Sequence, residues 1–174
     1  MIDEILTKQL AWLQALHNAR PVFLDPLFQA FNYLDTTPAY LCMCTAILLY
    51  LGWKAGLNIL IFTVLGINLN TVTKAFFALP RPSTIDPSLA LSTVSPGSYG
   101  FPSGGAMGSL MIATVLYYYF PRRSVLIFGI FYTLLISFSR VYLGVHFFTD
   151  ILGGWVLAVL YSFIYFKVLK KLIA

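Results

Sequence analysis

The sequence predicts an all-α fold, a polytopic membrane helix bundle of about five spans preceded by N-terminal interfacial helices. Composition is the first reason. Of 174 residues, 59% are hydrophobic and only 10% charged, and mean hydropathy is +0.83. A soluble domain carries about 25% charged residues, so this chain has too few to cover a water-facing surface. The second reason is the grouping of apolar residues into runs near the length needed to cross roughly 30 Å of hydrocarbon. The third is the polar material between them, which gathers into a few compact islands. The length allows one domain, with residues 1–36 as interfacial helices and 38–170 as the transmembrane core.

Residues 4–18 place Ile5, Leu6, Leu10, Leu13 and Leu16 near helical spacing, with Trp12 among them and Lys8, Gln9, His17 and Asn18 polar. That pattern predicts an amphipathic helix lying in the interface, ended by Pro21. The start is acidic and lacks the basic n-region and long apolar core of a signal peptide. Residues 22–34 are interrupted by Asp25 and Pro26 and are too short to span, so they read as interfacial or re-entrant. The first span is expected from Pro38 to Leu51, the second from Leu57 to Leu79, with Gly52, Trp53, Lys54 and Gly56 as the turn between. Asn58, Asn68, Asn70, Thr71 and Thr73 punctuate the second span and are expected to face other helices. Residues 80–101 read as loop, rich in Pro, Ser, Thr and Gly. Three more spans follow, at about 102–120, 124–142 and 147–169, with turns at Pro121–Arg123 and Gly144. No internal repeat or disordered linker is visible. Cys42 and Cys44 lie i,i+2 inside an apolar run, on different helix faces, and read as packing residues. No basic patch interleaves with exposed aromatics, which excludes a nucleic-acid partner.

Charge sets the topology. Five spans put Lys54, the Arg122–Arg123 pair and the Lys167, Lys170 and Lys171 cluster on one side, which the positive-inside rule makes cytoplasmic. The polar islands then share the opposite face. One holds Lys74 and Arg81, one Pro102, Ser103, Gly104 and Gly105, and one Ser139, Arg140, His146 and Asp150. Ionisable groups at membrane depth are costly and face partners or polar cavities.

The chemistry of these islands points to phosphate. Lys74, Arg81 and Arg140 supply cations, and arginine's planar fork suits phosphate oxygens. The Pro-Ser-Gly-Gly segment opens a helix whose free N–H groups and dipole favour an anion, and Ser103 can add a hydroxyl donor. His146 and Asp150 are four apart, on one face if the turn is helical. A carboxylate on one ring nitrogen orients the imidazole and raises the basicity of the other, which can then attack phosphorus. Nothing near the pair supplies the three or four ligands of a transition-metal site, so neither metal nor cofactor is expected.

These islands resemble the motifs of the type 2 phosphatidic acid phosphatase family, the membrane lipid phosphate phosphatases. Lys74 to Pro82 matches its Lys-x6-Arg-Pro motif, and Ser139, Arg140, His146 and Asp150 match Ser-Arg-x5-His-x3-Asp. Pro102 to Gly105 matches Pro-Ser-Gly-His except that Gly105 stands where the family has histidine. The resemblance covers roughly residues 55–170. It implies metal-independent dephosphorylation of a lipid phosphate, with His146 as nucleophile, Asp150 as its orienter, and Lys74, Arg81, Ser103, Gly104 and Arg140 on the phosphate. The expected location is a bacterial inner membrane, with the site on the outward face that the turn charges assign to it; oligomeric state is left open. Gly105 cannot protonate a leaving group as the family's histidine does. The glycine is an engineered trap, the mark of a non-catalytic phospholipid binder, or a fit to a leaving group that needs no acid. A phosphate monoester is such a leaving group, since its second pKa is about 6. A polyprenyl diphosphate such as undecaprenyl diphosphate is therefore the expected substrate. Phosphatidic acid, phosphatidylglycerol phosphate and lipid A are the alternatives.

Overall fold

Helix accounts for every apolar run. The computed structural model describes residues 2–34, 37–91 and 98–169. Its helices are α1 (Ile2–Ala19), α2 (Asp25–Leu34), α3 (Thr37–Leu51), α4 (Trp53–Phe77), α5 (Pro82–Ile85), α6 (Gly104–Tyr119), α7 (Arg123–Tyr142) and α8 (Phe148–Ile164). Single 3-10 turns occupy Val22–Leu24 and Pro87–Leu89, and a wider π turn continues α8 over Tyr165–Leu169. No strand occurs among the described residues, so the all-α expectation holds.

Span lengths refine the expectation of five. Helix α4 (25 residues), α7 (20 residues) and the segment Phe148–Lys167 (20 residues) are long and apolar enough to cross a membrane. A fourth span results if Val22–Leu34 and Pro38–Leu51, bent by 62° to each other, count as one. Helix α6 has 16 residues, about 24 Å at 1.5 Å per residue, because Pro102 and Pro121 bound it. The short length suits its place, since it is the inner helix against which α4, α7 and α8 pack. It carries Gly105, Ala106, Ser109 and Ala113 on buried positions, and small residues let helix backbones approach within a membrane.

Apolar burial between helices contributes little where the surroundings are themselves apolar, so packing and interhelical hydrogen bonds hold such bundles. At one end Ile59, Phe62, Met107, Met111, Val115, Ala158, Tyr161 and Tyr165 form a cluster. There the Tyr161 hydroxyl donates to the Phe62 carbonyl at 2.6 Å and the Tyr165 hydroxyl to Asn58 Oδ1 at 2.7 Å. Trp155 Nε1 donates to Ser137 Oγ at 3.0 Å, tying α8 to α7. Two further clusters, one around Leu13, Leu89 and Phe147 and one around Phe28, Tyr142 and Leu143, fasten α1 and α2 to the opposite end. Outward faces stay apolar and exposed, as with Phe131, Leu134, Val156 and Phe163, which suits a lipid surround.

The polar residues of α4 divide into two kinds. Asn58 and Asn70 face other helices, as expected. Asn58 bonds Tyr119 and Tyr165, and Asn70 is buried. Asn68 and Thr71 are instead exposed and bond their own helix one turn back, at Val64 and Ile67, a local solution open to short polar side chains. The α3–α4 turn also shrinks to Gly52, at φ +88°. Trp53, Lys54 and Gly56 lie inside α4 because that one left-handed residue suffices for the reversal.

Both ends of the bundle are identifiable. Tyr50 packs against Phe120, and Asn58 meets Tyr119 and Tyr165. Lys54, Arg122 and the end of α8 therefore share one end, while Lys74, Arg140 and His146 lie at the other. Lys170 and Lys171 fall outside the described residues.

Gly144 makes the α7–α8 turn at φ +69°. A Cβ there would stand 2.8 Å from the Leu89 carbonyl carbon, and Leu91 N–H donates to the Leu143 carbonyl beside it. Gly144→Ala is expected to lose about 1–2 kcal/mol to the left-handed backbone alone, and more because backbone must move. Gly52→Ala meets nothing within 4 Å and costs the backbone term only. Thermal melting in detergent should therefore show a larger drop for Gly144→Ala; equal drops would refute the close approach.

Candidate active site

The polar islands meet at one end of the bundle because backbone bonds join their carriers. Ser103 N–H donates to the Asp150 carbonyl at 2.9 Å, and Gly100 N–H to the Leu79 carbonyl at 2.8 Å. The start of α6 is thereby tied to the start of α8 and to the exit of α4. Close packing reinforces the joint, since a Cβ on Gly154 would meet the Ser103 carbonyl at 2.6 Å.

Lys74 sits in the last turn of α4, where a cation complements the helix dipole. Its Nζ donates to the carbonyls of Tyr99 and Gly100 at 3.0 and 3.1 Å. Arg81 lies just beyond, between Pro80 and Pro82. Its Nε reaches Ser98 Oγ at 3.1 Å, and its Nη1 lies 3.0 Å from the Val145 carbonyl and 3.1 Å from His146 Nε2. Arg140 is 3% exposed in the last turn of α7. Its Nε and Nη2 bond Ser139 Oγ at 3.2 and 3.1 Å, and its Nη1 bonds Asn32 Oδ1 at 2.6 Å.

His146 is not on a helix face, contrary to the helical-turn reading of its spacing. It lies in the turn before α8, whose N-cap is Phe147. Asp150, in the first turn, reaches back instead. Its Oδ2 accepts from Phe147 N–H at 2.9 Å and stands 3.2 Å from His146 Nδ1. Burial, then the positive fields of Arg81, Lys74 and Arg140, hold the imidazole well below its ordinary pKa, so it is neutral at pH 7. With Nδ1–H donating to Asp150, the Nε2 lone pair accepts from Arg81.

A cavity of about 480 Å³ begins at this cluster. Lys74, Arg81, Ser98, Arg140, His146, Gly104 and Gly105 line its polar end. Below them the wall turns apolar, with Ile59, Phe62, Ile67, Met111, Ile112 and Val115. Of the residues the sequence singled out, Lys74, Arg81, Gly104, Gly105, Arg140 and His146 thus share one wall. Asp150 stands behind His146. Ser103 does not reach the cavity: it is fully buried, and its Oγ caps α6 by accepting from Ala106 N–H at 3.4 Å. The expected hydroxyl donor is therefore engaged in holding the helix start.

Sequence reasoning missed Asn32, Asn70 and Ser98 as wall residues. Asn32 lies 108 positions from the arginine it holds, so no spacing signal existed. Asn70 was legible, being one helical turn before Lys74. Among the described residues no three His, Cys, Asp or Glu side chains come together as metal ligands.

Comparison with known proteins places this geometry. The profile of the PAP2 superfamily matches residues 39–174. An undecaprenyl-diphosphatase of Sulfolobus acidocaldarius is 36% identical over 112 residues, 64% of this chain and 53% of the relative. Phosphatidylglycerophosphatase B of Bacillus subtilis is 32% identical over 121 residues, 64% of this chain and 56% of the relative. The chain spans about half the length of these curated relatives. Among solved structures, the transmembrane PAP2 type phosphatidylglycerolphosphate phosphatase of Bacillus subtilis superposes with a TM-score of 0.77 at 26% identity, covering 97% of this chain and 87% of that one. Aquifex aeolicus LpxE gives the same TM-score and identity over 91% and 94%.

The bond from Arg140 to Asn32 comes from a segment that the profile does not cover. A hydrogen bond to a charged group contributes about 1.5–3 kcal/mol, so Asn32→Ala is expected to weaken inorganic phosphate binding about tenfold. Thermal stabilisation by phosphate, titrated on both proteins, measures it. Unchanged affinity would show that the Asn32 bond does not position the guanidinium.

Proposed function

Since the chain belongs to the PAP2 superfamily, we propose that it is an integral-membrane lipid phosphatase working through a phosphohistidine on His146. The observation that carries this reading is the neutral imidazole facing a cavity ringed by Lys74, Arg81 and Arg140, with Asp150 behind it. Binding alone needs the cations; an oriented nitrogen nucleophile serves chemistry.

The steps follow from the geometry. A lipid phosphate enters with its phosphoryl oxygens at the polar end and its chain along the apolar wall. Lys74, Arg81, Arg140 and the N–H groups opening α6 bind those oxygens. Arg81 Nη1 moves from His146 Nε2 to a phosphate oxygen, and this frees the lone pair for attack. The Nε2–P bond forms while the P–O bond to the leaving group breaks, and the electron pair goes with the leaving oxygen. Asp150 stabilises the positive charge gained by the ring. Water then attacks phosphorus, breaking the N–P bond and releasing inorganic phosphate, with its proton passing to solvent. Positioning and charge stabilisation carry most of such a reaction.

Gly105 offers no proton to the leaving oxygen. A lipid diphosphate avoids that need, because its leaving group is a phosphate monoester rather than an alkoxide. The similarity to an undecaprenyl-diphosphatase supports a polyprenyl diphosphate substrate. The likeness to phosphatidylglycerophosphatase B supports the second reading, a phospholipid monophosphate. Clustering of Lys54, Arg122 and Arg123 at the far end supports an outward-facing site in a bacterial inner membrane.

Phosphate release in detergent, measured on a polyprenyl diphosphate, phosphatidic acid, phosphatidylglycerol phosphate and lipid A, tests the reading. Release should be fastest on the diphosphate. His146→Ala should abolish it while the protein stays folded, and near-normal turnover in that variant would sink the covalent mechanism. Orientation is checked separately by a cysteine at Ser88, which should react with an impermeant thiol reagent from outside intact cells; reaction only from the cytoplasm would reverse the topology.

A further inference from the structure

Asn70 is a buried amide that the mechanism above does not use. It is 7% exposed, lines the cavity, and has as its described hydrogen bond only a 3.6 Å contact from Nδ2 to the Met107 thioether. Sulfur is a weak acceptor, and buried amides normally find full partners. Its Oδ1 would stand 3.3 Å from a Cβ on Gly104, so the side chain faces the opening turn of α6.

Its level in the cavity is informative. Lys74, Asn70, Gly66, Phe62 and Ile59 follow one another at helical spacing down a single face of α4, and all line the wall. Lys74 belongs to the phosphoryl end, while Phe62 and Ile59 belong to the apolar end. Asn70 occupies the step between them, about 5–6 Å from Lys74. In an attack by His146, the leaving group lies on the side of phosphorus facing away from the nucleophile, toward the lipid chain. That is the level of Asn70.

We infer that Asn70, beside the opening turn of α6, forms a second phosphate subsite that holds the phosphate remaining on the lipid. The inference rests on the phosphatase reading and narrows its substrate to lipid diphosphates. With the amide turned over about its Cβ–Cγ bond, so that Nδ2 in place of Oδ1 faces the opening of α6, Nδ2–H donates to an oxygen of that phosphate as the bridging P–O bond breaks. The electron pair stays on the bridging oxygen, which departs as a terminal oxygen of the lipid monophosphate. No proton is required from the protein, in keeping with glycine at 105.

Inorganic phosphate and pyrophosphate are the probes, because one fills the phosphoryl site alone and the other spans both. Thermal stabilisation of the full chain in detergent, at matched ionic strength, reports affinity without needing turnover. The native protein should bind pyrophosphate more tightly than phosphate. Asn70→Leu should weaken pyrophosphate about tenfold, the scale of one bond to a charged group, and change phosphate by less than about twofold. Asn70→Asp, nearly the same volume, should weaken pyrophosphate further by repulsion and guards against misfolding of the leucine variant. In turnover, both should lower kcat on farnesyl diphosphate more than on phosphatidic acid. Equal losses for both probes, or none for pyrophosphate in either folded variant, overturn the inference. If the native protein releases no phosphate from any lipid yet shows the Asn70-dependent preference for pyrophosphate, the subsite stands and the phosphatase reading falls.

Discussion

The site depends on how Asp150 is bonded. Its backbone carbonyl accepts the Ser103 N–H, and its Oδ2 takes both Phe147 N–H and the proton on His146 Nδ1. One residue, 2% exposed, thus fixes the start of α6, the start of α8 and the imidazole at once. A carboxylate bonded in the first turn of a helix is favourable in its own right. That local preference carries His146 to its position, although His146 itself is outside the helix. The start of α6 and the aim of the imidazole are therefore not independent. A change that loosens Asp150 moves both.

Around that joint the protein keeps cations in a poorly solvated place. A buried charge is costly unless hydrogen-bonded, and neutral oxygens bond each of the cations here. Lys74 bonds the Tyr99 and Gly100 carbonyls, Arg81 bonds Ser98 and the Val145 carbonyl, and Arg140 bonds Ser139 and Asn32. Neutral acceptors hold a cation beside the cavity without neutralising it. An anion entering it meets a positive field already assembled, which is the condition for electrostatic preorganisation.

Much of this was legible in the sequence. Apolar run lengths gave the helices, and alternating turn charges gave the common end, because a helix crossing the bundle must return its partner to the same side. Three islands far apart in the chain are thereby assigned to one end. What stayed hidden was contact that no periodicity encodes. Asn32 sits in a segment whose pattern says only that it is short, apolar and interrupted, yet it meets Arg140. The hydroxyl of Ser103 could face either the ligand or its own helix, and capping won because the α6 N–H groups are internal and always present. Spacing also suggested that His146 and Asp150 share a helix. The pair forms regardless, since a residue in the first turn of a helix can reach back past the N-cap.

The α4 face relates these features to substrate choice. Down one stripe it passes from a cation, through an amide, to glycine and then aromatic and aliphatic side chains. Each step is one turn, so the stripe orders chemistry by depth. In the proposed reaction a phosphoryl group sits at the cation and a hydrocarbon chain beside Phe62 and Ile59. Between them lies a level that is neither charged nor apolar, carrying Asn70 and facing the glycines that open α6. An ester oxygen attached directly to a chain would use little of that level and would need a proton that Gly105 cannot give. A phosphate linking the two ends would occupy it and needs no such proton. On the proposed diphosphate reading, the glycine at 105 and the sparsely bonded Asn70 answer to one leaving group.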